Sequence, residues 1–107
     1  MDVIEQIKVT LTENPVLLFM KGSPDAPQCG FSKSTVDALK ACDAEFAYVD
    51  ILANQEVRTN LPKVSNWPTF PQVFINGELI GGCDIVLDLY QKGELQTMLQ
   101  QANPSEV

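Results

Sequence analysis

The sequence has no histidine and only three cysteines in 107 residues. Without histidine, the Ser-His and Cys-His pairs that activate many hydroxyl and thiol nucleophiles are excluded. The cysteines are also too few for a structural zinc site, which takes four nitrogen or sulfur ligands from the protein. Their odd number and wide spacing argue against a disulfide framework, so we expect reduced thiols at Cys29, Cys42 and Cys83. Any chemistry of this protein is therefore expected to use a thiol, a carboxylate or a bound small molecule.

Basic residues are scarce as well. Seven Lys and Arg stand against fourteen Asp and Glu, which gives a net charge of −7. Binding to nucleic acid or to an anionic membrane surface needs a cluster of positive side chains, and because the sequence has none, neither partner is expected. The longest apolar run, residues 16–20, is far shorter than the roughly 20 residues that cross a bilayer. Residues 1–15 contain neither a signal-peptide core nor an Arg-rich transit pattern, and a cytoplasmic location is expected.

What the sequence does contain is an alternation of helical and strand patterns. Its length and its 45% hydrophobic content fit one domain over residues 1–107. Apolar spacing predicts helices over residues 2–13, 29–42, 54–61, 84–91 and 94–101. Strands are predicted over residues 16–20, 46–51, 72–75 and 78–80. Residues 21–28 are predicted to form a loop, and Pro62 and Pro68 to bracket an irregular stretch.

Caps and connections indicate how these elements are arranged. Asp2 and Glu5 resemble a capping box, and Asn54 is expected to cap the third helix. The first two strands are joined by a helical crossover and should be parallel, whereas Asn76-Gly77 predicts an antiparallel hairpin between the last two. This order indicates an α/β, thioredoxin-like fold, with a four-stranded mixed sheet flanked by helices on both faces.

Cys29 stands where residues 21–28 pass into the second predicted helix. The N-terminus of a helix offers unpaired N–H groups and a partial positive charge, both of which favour thiolate over thiol. Lys21, at the end of the first strand, should emerge at the same sheet edge and add a cation. Ser32 occupies the position of the second thiol of a Cys-x-x-Cys motif, so Cys29 has no neighbour to resolve a mixed disulfide. The alternative, a buried unreactive thiol, fits the polar, Gly- and Pro-rich surroundings less well.

Two later segments also combine unusual residues. In residues 67–72, a cis bond before Pro71 would present the Phe70 backbone to an extended peptide; the alternative is simply a rigid loop. In residues 81–84, two glycines allow a ligand to approach, and the following helix N-terminus favours a carboxylate. Asp84 could instead be only an N-cap residue, and Cys83 only a core side chain. Cys42, late in a helix, is expected only to pack.

Together these segments make the chain resemble a monothiol glutaredoxin of the Cys-Gly-Phe-Ser type, in its short, stand-alone, bacterial-like form. The resemblance covers nearly the whole length. It rests on Met20-Lys21-Gly22, Cys29-Gly30-Phe31-Ser32, Trp67-Pro68-Thr69-Phe70-Pro71-Gln72 and Gly81-Gly82-Cys83-Asp84, which occur in the expected order and spacing.

The resemblance implies a glutathione site between these segments. Lys21 and Arg58 would meet the glycine carboxylate of the tripeptide. The Phe70 backbone would pair with its cysteinyl part, and the γ-glutamyl end would be held by Cys83 and Asp84. Residues with a structural role at this site would be Trp67, Pro71 and Gly82.

The resemblance also implies that two chains bridge a [2Fe-2S] cluster as a homodimer. Each chain would contribute the Cys29 thiolate and one bound glutathione, whose thiolate is a further ligand, so that the dimer supplies the four sulfurs. Because glutathione would be held non-covalently, the cluster should be labile, which suits transfer to apo iron-sulfur proteins in cluster trafficking and iron homeostasis. Members of this family also form cluster-bridged heterodimers with BolA-type proteins.

Two other functions stay open at this point. Cys29 alone could reduce glutathione mixed disulfides, a monothiol oxidoreductase activity that Ser32 permits. In this family, however, a long loop such as residues 22–28 goes with poor reductase activity. A redox-inert scaffold that binds a partner protein is the third possibility. Of the three, the sequence favours the cluster carrier, and it leaves open whether the chain is an enzyme.

Overall fold

The computed structural model describes residues 2–102. Within that range the helices are α1 (Val3–Glu13), α2 (Gly30–Ala41), α3 (Gln55–Ser65), α4 (Cys83–Gln91) and α5 (Glu94–Gln101). The strands are β1 (Val16–Met20), β2 (Gly22–Ser23), β3 (Ala26–Pro27), β4 (Ala47–Asp50), β5 (Gln72–Ile75) and β6 (Glu78–Gly81). The predicted order of helices and long strands is confirmed. In this part of the chain no helix has the length and apolar composition that a bilayer crossing would require.

The main sheet has the strand order β4-β1-β5-β6. Strand β1 pairs in parallel with β4 and antiparallel with β5, which in turn pairs antiparallel with β6. Asn76 and Gly77 both have positive φ angles at the β5–β6 turn, of 52° and 80°, as the Asn-Gly hairpin signal predicts. The mixed four-stranded sheet expected from the sequence is therefore confirmed.

Strand β1 is buried along its whole length, and its side chains alternate between two cores. Val16, Leu18 and Met20 pack with the apolar faces of α2, α4 and α5. Leu17 and Phe19 point to the other face, where they pack with α1 and α3. Because successive side chains of a strand point to opposite faces, an unbroken apolar run is what a central strand covered by helices on both sides requires.

The third helix runs past its predicted end. The sequence predicts a stop at Leu61 before Pro62, but α3 continues to Ser65, with Pro62 inside it. Proline removes one helical hydrogen bond and restrains the preceding residue. That loss is outweighed here because Leu61 is fully buried and Val64 packs against the same core. The irregular stretch predicted from Pro62 to Pro68 therefore begins only at Asn66, a left-handed residue with φ of 57° that ends the helix.

Two of the predicted caps differ from the structure, and one agrees. Asp2 caps α1, since its Oδ1 accepts the N–H of Glu5 at 2.9 Å. Asn54 precedes α3 but makes no cap bond; its Nδ2 instead donates to the carbonyl of Asp50 at 2.8 Å. Gly82, not Asp84, is the N-cap residue of α4, so the interpretation of Asp84 as an N-cap is wrong. Asp84 lies in the first turn instead.

The segment 21–28, predicted as a loop, contains a small hairpin. Strands β2 and β3 pair Gly22 with Pro27 and Ser23 with Ala26. Gly22 opens this hairpin at φ of 91°, and its N–H donates to Asp50 Oδ1 at 2.9 Å. A Cβ at Gly22 would lie 2.5 Å from the carbonyl oxygen of Ala26, so no larger residue fits. Strands this short are not marked by apolar alternation, which is why the sequence shows only a loop.

Replacing Gly22 is therefore expected to cost more stability than replacing a glycine with a similar φ angle in open space. Gly77→Ala, at φ of 80° with no atom near the added Cβ, should lose about 1 kcal/mol from backbone strain alone. Gly22→Ala adds a backbone clash and should lose roughly 2–3 kcal/mol. Urea unfolding of both variants measures the difference, and equal losses would contradict the steric role of Gly22.

Candidate functional site

Cys29 is the residue that begins helix α2. It has extended backbone angles, φ of −153° and ψ of 154°, and its Sγ accepts the N–H of Ser32 at 3.3 Å in the manner of an N-cap. The helix itself begins at Gly30, one residue later than predicted. The sulfur is therefore held at the end of α2 where unpaired N–H groups and the positive end of the helix dipole favour an anion.

Ser32 links Cys29 to the end of the central strand. Its side chain is fully buried, and its Oγ accepts the backbone N–H of Lys21 at 3.1 Å. The same Oγ lies 3.4 Å from the Cys29 Sγ. The thiol of Cys29 can donate to this oxygen, and when Cys29 is ionised the hydroxyl proton of Ser32 can donate to the thiolate instead, since Lys21 occupies only a lone pair. The sequence shows only that Ser32 replaces a second thiol; the structure shows what its hydroxyl contacts.

The surroundings of Cys29 lower the pKa of its thiol. Partial burial raises the pKa, but the opposing contributions together are larger. They are the hydroxyl of Ser32, the backbone N–H groups of Ser32 and Phe31, and the charge of Lys21, in decreasing order. The thiolate is thus present at a lower pH than for an ordinary cysteine. By contrast, burial raises the pKa of Cys42, which packs in the core as predicted.

The segment before β5 turns at a cis bond between Phe70 and Pro71, the first of the two alternatives that the sequence left open. The side chain of Gln72, fully buried, donates from Nε2 to the carbonyl oxygens of Trp67 at 2.9 Å and Thr69 at 3.0 Å. At the neighbouring turn, a Cβ on Gly82 would lie 3.3 Å from the Pro71 carbonyl oxygen and 3.4 Å from Trp67 Nε1. Close contact thus joins the Trp67–Gln72 segment to the start of α4.

An open groove of about 560 Å³ lies between these segments. This volume is within the range of small-molecule sites. The sequence-predicted site residues that line it are Lys21, Arg58, Trp67, Phe70, Pro71, Gly82, Cys83 and Asp84. The sequence did not single out the remaining lining residues, which are Phe31, Pro68, Thr69 and Ile85.

Cys29 does not itself line the groove, but its neighbours do. Lys21, whose charge acts on Cys29, and Phe31, two residues further along, both form part of the wall. Phe31 is 65% exposed, an unusual position for a phenylalanine and one that only the structure reveals. The sulfur is therefore adjacent to the groove and not inside it.

The groove carries charge of both signs. Lys21 and Arg58 contribute two cations, and neither forms an ion pair within residues 2–102. Asp84, exposed in the first turn of α4, contributes a carboxylate. Cys83 is buried at the groove wall as a free thiol. Such a groove suits a small ligand with carboxylate groups and at least one ammonium group.

Comparison with known proteins decides the family. The sequence model of the family described as Glutaredoxin matches residues 16–80, more than half of the chain. The chain belongs to the glutaredoxin family. It is 56% identical over 101 residues to Glutaredoxin 4 of Haemophilus ducreyi, with 94% of each chain covered. It is also 58% identical over 98 residues to Glutaredoxin 4 of Escherichia coli K12, covering 92% of this chain and 85% of that one.

The fold of this glutaredoxin also matches those of solved structures. The solution structure of reduced poplar apo GrxS14 superimposes with a TM-score of 0.81 at 46% identity, covering 94% of this chain and 92% of that one. The thioredoxin-like fold and the resemblance to a monothiol, bacterial-like glutaredoxin that the sequence predicted are confirmed.

The hydrogen bonds at Cys29 predict how its acidity responds to substitution. Ser32→Ala removes the hydroxyl that donates a hydrogen bond to the Cys29 thiolate, so it should raise the Cys29 pKa. Lys21→Ala should raise the pKa by less, because the charge of Lys21 is the smallest of the contributions. The rate of iodoacetamide reaction as a function of pH measures the pKa.

Ser34→Ala, on the same helix, is the matched control and should leave the Cys29 pKa unchanged. A larger rise for Lys21→Ala than for Ser32→Ala would contradict the order of contributions.

Proposed function

We propose that this glutaredoxin binds glutathione in the groove and, as a homodimer, carries a [2Fe-2S] cluster that it transfers to apo iron-sulfur proteins. The observation that carries the proposal is a single accessible thiol, Cys29, which accepts the Ser32 N–H at the start of α2 and lies beside a groove with two cations, without a second thiol at the Ser32 position. The role belongs to iron-sulfur cluster trafficking and iron homeostasis, and the cytoplasm is its proposed location.

The groove fits glutathione by charge and by size. Glutathione has a carboxylate at each end and an α-ammonium group at the γ-glutamyl end. In this proposal Lys21 and Arg58, both on the groove wall, meet the glycine carboxylate, and Asp84 pairs with the ammonium group. Phe70 precedes strand β5, whose ladder begins at Gln72, and its backbone is proposed to pair with the cysteinyl part.

The number of available sulfurs supports a shared cluster. Cys42 and Cys83 are 7% and 8% exposed, which leaves Cys29 as the accessible thiol of the described chain. Within residues 2–102 no three His, Cys, Asp or Glu side chains are grouped so as to hold a metal. A [2Fe-2S] cluster takes four ligands. Two Cys29 thiolates and two glutathione thiolates meet that number.

A heterodimer is proposed at the same surface. A BolA-type protein is proposed as a heterodimer partner that replaces one of the two chains across the cluster. Phe31, exposed beside Cys29, would lie at either interface. The acidic net charge of −7 makes nucleic acid and anionic membranes unfavourable partners.

A monothiol oxidoreductase activity is the second candidate, and the lowered Cys29 pKa favours it. In this reaction the Cys29 thiolate attacks the glutathionyl sulfur of a mixed disulfide and releases the client thiolate. A second glutathione thiolate then attacks the Cys29–glutathione disulfide, which regenerates the Cys29 thiolate and forms oxidised glutathione. The Ser32 hydroxyl stabilises Cys29 both as nucleophile and as leaving group.

If Lys21 and Arg58 bind the carboxylate of glutathione, its affinity should depend on these side chains and on the salt concentration. Arg58→Ala should weaken binding about two- to fivefold, because an exposed charge contact is lost. Lys63→Ala, an exposed cation on the same helix outside the groove, is the matched control and should have no effect. Isothermal titration calorimetry at two salt concentrations measures both, and affinity should fall as salt rises. Equal affinities for Arg58→Ala and the wild type would contradict this placement.

Anaerobic reconstitution with iron, sulfide and glutathione tests the carrier function. The protein should turn brown, show charge-transfer absorption and elute as a dimer. Cys29→Ser should stay colourless, whereas Cys42→Ala, a change at a buried thiol, should keep its colour. Colour that survives Cys29→Ser, or a colourless wild type, would refute the carrier. Fast reduction of a glutathionylated peptide by colourless protein would favour the oxidoreductase instead.

A further inference from the structure

Gln72 is the one polar side chain of the β-sheet that is wholly enclosed in the described structure, with no exposed surface. It is the first residue of β5, paired with Phe19 of the central strand. Its Nε2 donates to two carbonyl oxygens of the segment before it, those of Trp67 at 2.9 Å and Thr69 at 3.0 Å. Both hydrogens of its amide are therefore used on one short segment.

The oxygen of the Gln72 amide, in contrast, lacks a hydrogen bond within the described residues. Within residues 2–102 the Oε1 of Gln72 is buried and has no hydrogen-bond partner. An unpaired buried acceptor costs free energy, and an apolar side chain of similar size would avoid that cost. The benefit of the amide must therefore lie in its two N–H donors. Since carbonyl oxygens only accept, the amide nitrogen has to face Trp67 and Thr69, which fixes its orientation.

The bond to Thr69 also determines where the N–H of Phe70 points. The carbonyl of Thr69 and the N–H of Phe70 belong to the same planar peptide unit. This unit is trans, since the cis bond of this segment is the next one, Phe70–Pro71. In a trans peptide the C=O and N–H point in opposite directions. A Thr69 carbonyl held inward by Gln72 therefore turns the Phe70 N–H away from the interior.

We propose that Gln72 is a positioning residue that orients the Phe70 N–H toward the groove by holding the Thr69 carbonyl of the same peptide unit. The second bond, to the carbonyl of Trp67, keeps the Gln72 amide from rotating. This inference rests on the proposed glutathione site, where the Phe70 backbone pairs with the cysteinyl part of the ligand. Gln72 contacts no ligand itself.

Reduced glutathione titrated into the full, ¹⁵N-labelled chain tests this role by NMR. Gln72→Met keeps the length of the side chain and removes both donors. It should raise the glutathione dissociation constant about tenfold, the effect of one lost hydrogen bond. It should also shift the Phe70 amide resonance in the free protein and leave the Cys29 thiolate titration unchanged.

A general loss of stability is separated from positioning by a second core variant. Ile75→Val, at the other end of β5, removes one buried methylene and should lower stability without changing glutathione affinity. If Gln72→Met binds glutathione like the wild type, or if Ile75→Val weakens binding equally, the positioning role is refuted while the glutathione site stands.

The wild-type protein supplies a further test that needs no folded variant. Both side-chain amide protons of Gln72 should exchange with solvent at least tenfold more slowly than those of the exposed Gln96, because both are buried and bonded. Fast exchange at Gln72 refutes the inference. If the wild type binds no glutathione, the proposed function fails, and the Phe70 resonance and Gln72 exchange still decide whether Gln72 holds the peptide unit.

Discussion

The burial of β1 on both faces is the constraint on which the rest of the structure depends. A strand whose alternate side chains enter two separate cores needs helices on both sides of the sheet. Strand β1 is buried throughout, so the chain leaves the core on the far side of the strand only after Met20. Lys21 is the first residue past that point, and its backbone N–H is tied to α2 through Ser32. The position of the candidate site thus follows from where the buried strand ends.

The chemistry of Cys29 comes from several modest contributions that act together. Burial opposes ionisation, and hydrogen bonds from Ser32 together with the charge of Lys21 overcome it. Ser32 replaces the thiol that a dithiol motif would carry. Its hydroxyl cannot form a disulfide, but it lies 3.4 Å from the sulfur. Serine at this position therefore excludes an intramolecular disulfide with Cys29 while its hydroxyl favours the thiolate form.

Much of the fold and part of the site can be predicted from the sequence. The buried strand, the Asn-Gly hairpin and the location of Cys29 at a helix start all follow from local rules. The cis bond before Pro71 does not, because an X-Pro bond is usually trans and the sequence left a rigid loop as the alternative. The passage of α3 through Pro62 does not, because the packing of Leu61 and Val64 outweighs the local preference of proline. The small hairpin at Gly22 is likewise invisible, since it depends on a hydrogen bond to Asp50, a residue 28 positions away.

The sequence by itself determined which residue types are available for chemistry: three thiols, no imidazole and few cations. It also determined the order of the elements, because periodicity and turn residues act over short distances. Only the tertiary structure decided which side chains meet. Arg58, Phe31 and Asp84 come from three different helices, and they line one groove because those helices pack on a common sheet. The position of the Ser32 hydroxyl was decided there as well, since its oxygen accepts the N–H of Lys21, eleven residues earlier in the chain.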